Sequence, residues 1–201
     1  MQDIERRRKY LLEDIFISKV RVKVLQLFYG NLGQIFHVRE IVRRVSEEIN
    51  AVRRELARLE KAGMVTSEWR ANRRYYYIRT DYVFGQDLLS MVAKTTGLGG
   101  DIVKGKSKLG KVKFAMLSGV FARNIDAGPN EVDLLLVGNI IMPQISSFVK
   151  DEEARRGREI NYTVMTEEEF TFRKRRRDPF LLGILEKPKI MLVGDEAEML
   201  K

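Results

Sequence analysis

The chain has 201 residues and a mass of 23.4 kDa, is 44% hydrophobic and 32% charged, and so suits one large or two small globular domains and excludes a disordered chain. With no cysteine and a single histidine, His37, it cannot build disulfides, thiol nucleophiles or Cys/His-cluster metal sites, and a His-based triad is disfavoured. The net charge of +9 is uneven: residues 1–80 hold 18 Lys and Arg against 10 Asp and Glu, residues 81–201 hold 19 against 18, so a basic, polyanion-binding part is joined to a near-neutral one.

The charged opening of residues 1–9 lacks the apolar stretch of a signal peptide, and no run of about 18 apolar residues follows, so a cytoplasmic protein without a membrane partner is expected. Residues 2–16 read as a short charged helix leading into Leu11, Leu12, Ile15 and Phe16. Ser18 is placed to cap a next helix whose Val20, Val24, Leu27 and Phe28 recur at helical spacing, ended by Gly30-Asn31-Leu32-Gly33. Residues 38–45 make a second helix with Ile41, Val42 and Val45 on its apolar side, broken at Ser46 or Glu47. Ile49, Val52, Leu56 and Leu59 form the stripe of a third helix that stops at Gly63. The period then changes to alternation. Residues 64–70 and 73–79 read as two strands joined tightly at Ala71-Asn72. Three helices followed by a β-hairpin make a winged helix-turn-helix.

A helix is expected over 83–95, with Leu88, Leu89, Met91 and Val92 apolar, followed by a glycine- and lysine-rich linker. The second part alternates strands (112–117, 132–137, 159–164, 189–193) with helices (143–155, one behind Thr166, and 179–185), the pattern of an α/β or α+β domain. The expected organisation is residues 1–80 as a DNA-binding winged helix with its N-terminal helix, 81–110 as a linker helix and basic linker, and 111–201 as the second domain.

The third helix carries the strongest functional signal. Its stripe leaves Asn50, Arg53, Arg54, Ala57 and Arg58 on other faces. A major groove about 12 Å wide accepts one helix, and Arg and Asn pair bidentately with guanine and adenine edges. Arg39, Arg43 and Arg44 on the preceding helix suit phosphate contacts, and the hairpin gathers Arg70, Asn72, Arg73 and Arg74 at one tip. Double-stranded DNA is therefore the expected partner. A homodimer is expected with it, since operators mirror two-fold symmetry; its natural surfaces are the N-terminal helix and the 83–95 helix.

The run from Ile49 to Val65, with Leu59-Glu60-Lys61-Ala62-Gly63-Met64-Val65 at its end, resembles the winged-helix regulators of the arsenic-sensing repressor type over about residues 17–80. That family's metal-sensing cysteines are missing, so metal sensing does not carry over, and His37 is read as a helix-entry residue.

In the second part, Leu117-Ser118-Gly119-Val120-Phe121-Ala122-Arg123 followed by Glu131-Val132-Asp133 resembles the DNA polymerase β superfamily of minimal nucleotidyltransferases over about 110–195. The resemblance implies Glu131 and Asp133 as ligands of Mg²⁺, Gly119 and Arg123 as contacts to a nucleoside triphosphate, and Glu159 as a substitute third acid. Two carboxylates two apart on a strand share a face, as metal-bridged triphosphate binding requires. Val120 stands where the family has Ser, Glu131 where it has Asp, and Asn161 where the third acid aligns. The winged helix followed by such a domain also resembles a group of prokaryotic predicted transcriptional regulators, which share the stretches around 158–164 and Asp178-Pro179-Phe180-Leu181. The fold class implied is α+β: an N-terminal winged helix-turn-helix and a small mixed-sheet, nucleotidyltransferase-like α/β domain. The expected function is sequence-specific transcription regulation, with the second domain as a degenerate sensor or scaffold and a nucleotide as its candidate effector. The alternative is an active transferase moving a nucleotide to a small molecule, protein or RNA end.

Two other signals read as structural. Gly105-Lys106-Ser107-Lys108-Leu109-Gly110-Lys111 has the spacing of a phosphate-binding loop, but Val112 replaces its Ser/Thr and the run follows a helix rather than a strand. Arg173-Lys174-Arg175-Arg176-Arg177 follows Glu167-Glu168-Glu169 and reads as a self-paired helix face.

Overall fold

The computed structural model describes residues 12, 15–125, 128 and 131–201. They form two compact units, one ending at Val92 and one running from Ala93 to Lys201. The helix expected over 2–16 lies mostly outside the described residues. Of its apolar side, Leu12 is buried and its carbonyl accepts the Phe16 N–H at 2.9 Å.

In the first unit, α1 (Lys19–Tyr29) starts where the Ser18 hydroxyl accepts the Arg21 N–H at 3.2 Å and ends at Gly30. A two-residue strand, β1 (Phe36–His37), leads into α2 (Val38–Val45), which closes on Ser46 in the left-handed region. Then follow α3 (Ile49–Lys61), β2 (Val65–Arg70) and β3 (Arg73–Ile78), in a sheet ordered β1-β3-β2 with antiparallel pairing throughout. Helix, short strand, two helices and a hairpin make a winged helix-turn-helix. Gly63, at φ 72, allows the tight exit from α3 into the hairpin. The core is Val22, Val24, Leu25 and Phe28 of α1 against Phe36, Ile41, Val52, Leu56, Val65 and Ile78, with the Phe28 and Phe36 rings edge to face at 5.7 Å. The expected stripe of α1 is therefore corrected: Val22 and Leu25 are buried, while Val20 and Leu27 are only half-buried.

The stretch expected as a glycine- and lysine-rich linker forms a helix, a 3₁₀ turn and buried packing. After α4 (Gly85–Thr95) comes α5 (Gly97–Lys104), with Leu98 and Ile102 buried, then a 3₁₀ turn at Lys106–Lys108 and the fully buried Leu109. Glycine serves close packing here. A Cβ on Gly99 would lie 2.1 Å from the Ala93 carbonyl oxygen.

The second unit is built on a sheet ordered β6-β5-β4-β7, from β4 (Gly110–Ser118), β5 (Leu134–Ile140), β6 (Tyr162–Met165) and β7 (Lys189–Val193). The β5–β6 pair is parallel and the others antiparallel. Leu134 and Leu136 point to one core with Leu98, Ile102, Phe121, Ile145 and Val149. Leu135 and Val137 point to the other with Phe170, Leu181, Ile184 and Met199. Burial on both faces explains the unbroken apolar run in β5. The helices are α6 (Gly119–Ala122) and α7 (Met142–Arg156), then α8 (Glu167–Arg175), α9 (Pro179–Leu185) and α10 (Glu196–Leu200). Thr166 caps α8 as its side chain accepts the Glu169 N–H, and Glu169 pairs with Arg173 one turn on at 2.9 Å. Among the described residues no helix is long and apolar enough to cross a membrane.

Candidate nucleic-acid interface

The helix α3 is fixed at its start by Glu48, whose two carboxylate oxygens accept the N–H groups of Asn50 and Ala51, each at 2.9 Å. These backbone hydrogen bonds hold its carboxyl below the usual range. The buried side of α3 is Val52, Glu55, Leu56 and Leu59; Asn50, Arg53, Arg54, Ala57 and Arg58 are exposed.

Glu55 is the surprise on that face. It is 4% exposed and accepts from Arg21 Nε at 2.9 Å and Arg58 Nη1 at 2.7 Å. Arg58, expected at a base edge, is therefore tied to a structural pair. Burial pushes the Glu55 carboxyl up, but the bond and charge of Arg21 and the hydrogen bonds from Arg58 and Ser18 more than offset this and leave it below the ordinary value. A lowered folded pKa means stability that is present above the ordinary carboxylate range and is lost as pH falls through the lowered value. Glu55→Gln should therefore cost roughly 1.5–3 kcal/mol at neutral pH. It should also flatten the acid limb of a melting-temperature-against-pH profile; an acid limb unchanged from the parent would refute the pairing.

At the entry to α2, His37 Nδ1 accepts the Arg39 N–H at 3.4 Å, so this histidine is a helix cap. Arg44 pairs with Glu40 at 2.9 Å and lies over the Phe36 ring at 5.1 Å. On the wing, Arg70 pairs with Glu68 and lies over Tyr75. Arg74 is not at a free tip as expected. Its Nη2 donates to both oxygens of Glu60 at 2.8 and 2.9 Å, its Nε donates to Ser67 Oγ at 2.9 Å, and it covers the Tyr76 ring. It clamps the wing to α3.

That leaves Arg39, Arg43, Arg53, Arg54 and Arg73 without an ion-pair partner among the described residues. Three of them, Arg39 from α2, Arg53 from α3 and Arg73 from the wing, line one groove of about 760 Å³ between α3 and the hairpin, together with Ala57, Trp69 and Asn72. The groove thus gathers cations from three elements on one side of the unit. Trp69 was not among the expected contact residues, although its place two residues after Ser67 on a strand puts both on the face turned to α3.

Among the described residues, the second unit does not bring the expected metal and nucleotide contacts together. Glu131 precedes β5 and pairs with Lys187 at 2.6 Å. Asp133, also just before β5, is 1% exposed; it accepts from Arg158 Nη1 at 3.2 Å and from the Asn161 N–H at 3.1 Å. The two acids share no strand face, because the strand starts at Leu134 and Asp133 turns inward to latch the approach to β6. Glu159 is exposed and lies outside β6, which begins only at Tyr162. The Gly119 N–H is spent on the Pro188 carbonyl at 2.7 Å, where a Cβ would come within 2.9 Å of that oxygen; Arg123 closes α6. Among the described residues no three His, Cys, Asp or Glu side chains gather as a metal site. The residues present do not fit Mg²⁺ and a triphosphate in the manner the resemblance implies.

No protein-family model and no curated protein matches this chain. Among solved structures, reduced HlyU from Vibrio cholerae matches at 18% identity with a TM-score of 0.32, covering 47% of this chain and 94% of that one.

Proposed function

We propose that the chain is a sequence-specific, double-stranded-DNA-binding transcription regulator. In this reading α3 enters the major groove with Asn50 and Arg54 toward base edges and Arg53, on its groove side, on a phosphate; α2 sets Arg39 and Arg43 on phosphates, and Arg73 carries the wing onto the backbone. The observation that carries it is the groove between α3 and the hairpin, where Arg39, Arg53 and Arg73 converge without carboxylate partners among the described residues. Pairs of such modules reading a two-fold operator make a homodimer part of the proposal. The second unit then acts as a scaffold or sensor; the burial of Asp133 against Arg158 supports that role over nucleotide transfer.

The test is selection of bound duplexes from a genomic fragment pool, followed by gel shift of the winners. Enrichment of one sequence class, bound at least about 10³-fold more tightly than random duplex, is expected. Uniform binding of all fragments would refute sequence-specific regulation, and absence of binding at low salt would refute DNA binding itself.

A further inference from the structure

Trp69 is the only tryptophan in the chain, and the residue is 70% exposed near the end of β2. Unlike the exposed rings of Phe84, Phe172 and Phe180, it lines the cationic groove between α3 and the hairpin. Val65, Ser67 and Trp69 share one face of the strand. Ser67 on that face donates to Glu60 of α3 at 2.5 Å, so Trp69 projects toward the same helix. Opposite it α3 presents Ala57, whose small side chain leaves the groove open, and Arg53 and Arg73 stand as cations at its walls.

We infer that Trp69 is a DNA contact: its indole packs on the deoxyribose faces of the single backbone strand that passes between α3 and the wing. This rests on the DNA-binding reading above and adds a residue to it. The chemistry is complementary part by part. Arginines of α3 and the wing take the phosphates on either side, and the only apolar surface of that strand, the sugar between them, meets the only large exposed apolar ring in the groove. Rings of this kind tolerate any sequence, so Trp69 contributes affinity and wing register rather than base choice.

The experiment titrates the full chain with a random-sequence duplex carrying a fluorescent label, and reads label anisotropy and Trp69 emission in parallel. With saturating DNA, the acrylamide quenching constant of Trp69 is expected to fall at least about twofold, as a ring covered by a partner should. Trp69→Ala is expected to weaken binding about tenfold, the order expected for burying one apolar ring against the sugar. Trp69→Phe, which keeps an aromatic face, should stay within about threefold of the parent. Because the protection is read on the unaltered protein, it stands even where Trp69→Ala disturbs the wing. Anisotropy that saturates while Trp69 stays equally accessible and Trp69→Ala binds normally would overturn this inference and leave DNA binding intact. No anisotropy change with any duplex would overturn both.

Discussion

Replacing Arg39, Arg53 and Arg73 together by alanine is expected to lower affinity for any duplex by about 10²- to 10³-fold near 0.1 M salt. Each of the three lines the α3–wing groove, and none has an ion-pair partner among the described residues, so their charge is available to phosphates. Neutralising a phosphate releases condensed counterions, and each contact contributes about 0.9 to the slope of log affinity against log salt. The triple variant should therefore show a slope shallower by about 2.7. Its unfolding free energy should move by less than about 0.5 kcal/mol per site, since exposed side chains without partners are removed. A full-strength slope in the triple variant would mean that the groove faces away from DNA.

Arg74 gives the internal contrast. It lies one residue from Arg73 but is bonded to Glu60 and Ser67. Arg74→Ala should cost about 1 kcal/mol of stability, the worth of a charge-assisted bond discounted for the partial exposure of both side chains, and should change the salt slope far less than Arg73→Ala. Two arginines that look alike in sequence thus divide into a clamp and a contact.

That division marks how far the sequence alone reaches. Features set by neighbours a few residues away were legible. The helix opening at Pro179, the one behind Thr166, and the switch from helical to alternating period after Gly63 that locates the wing all stand where they were expected. What was not legible depends on partners far along the chain. Val52, Glu55, Leu56 and Leu59 follow the i, i+3, i+4, i+7 spacing of a buried face, yet nothing nearby announces Arg21, 34 residues back, as the cation that lets Glu55 be buried. Glycines at 97, 99, 100 and 105 read by composition as a linker. In the fold, the Ala93 carbonyl and the Phe148 ring leave no room for a Cβ at Gly99 and Gly105 respectively. Strand alternation placed Glu131 and Asp133 on one face, but the strand begins one residue after Asp133, and Arg158, 25 residues on, draws that carboxylate inward.

Asp133→Ala is accordingly expected to destabilise the second unit by roughly 2–4 kcal/mol, the cost of leaving the Asn161 N–H and the partly exposed Arg158 without their shared acceptor. The change removes the acceptor used by Arg158 and by the Asn161 N–H. The Asp133 N–H also donates to the Asn161 carbonyl at 2.7 Å and ties the start of β5 to the approach of β6, so the loss falls on the parallel pair of the sheet. Asp133→Asn keeps an oxygen acceptor and should cost less, about 1.5–3 kcal/mol. Asp133→Ala and Arg158→Ala should combine non-additively, with a coupling of about 0.5–3 kcal/mol, because they remove the same bond. A metal-ligand role for Asp133 makes the opposite demand. Mg²⁺ with a nucleoside triphosphate would then raise the melting temperature of the parent, since a ligand held only by the folded state stabilises it, and would fail to do so in Asp133→Asn. With the carboxylate committed to Arg158, no such rise is expected. A rise that vanishes in Asp133→Asn, accompanied by pyrophosphate release, would make the second unit a nucleotidyltransferase and Arg158 the residue that yields Asp133 to the metal.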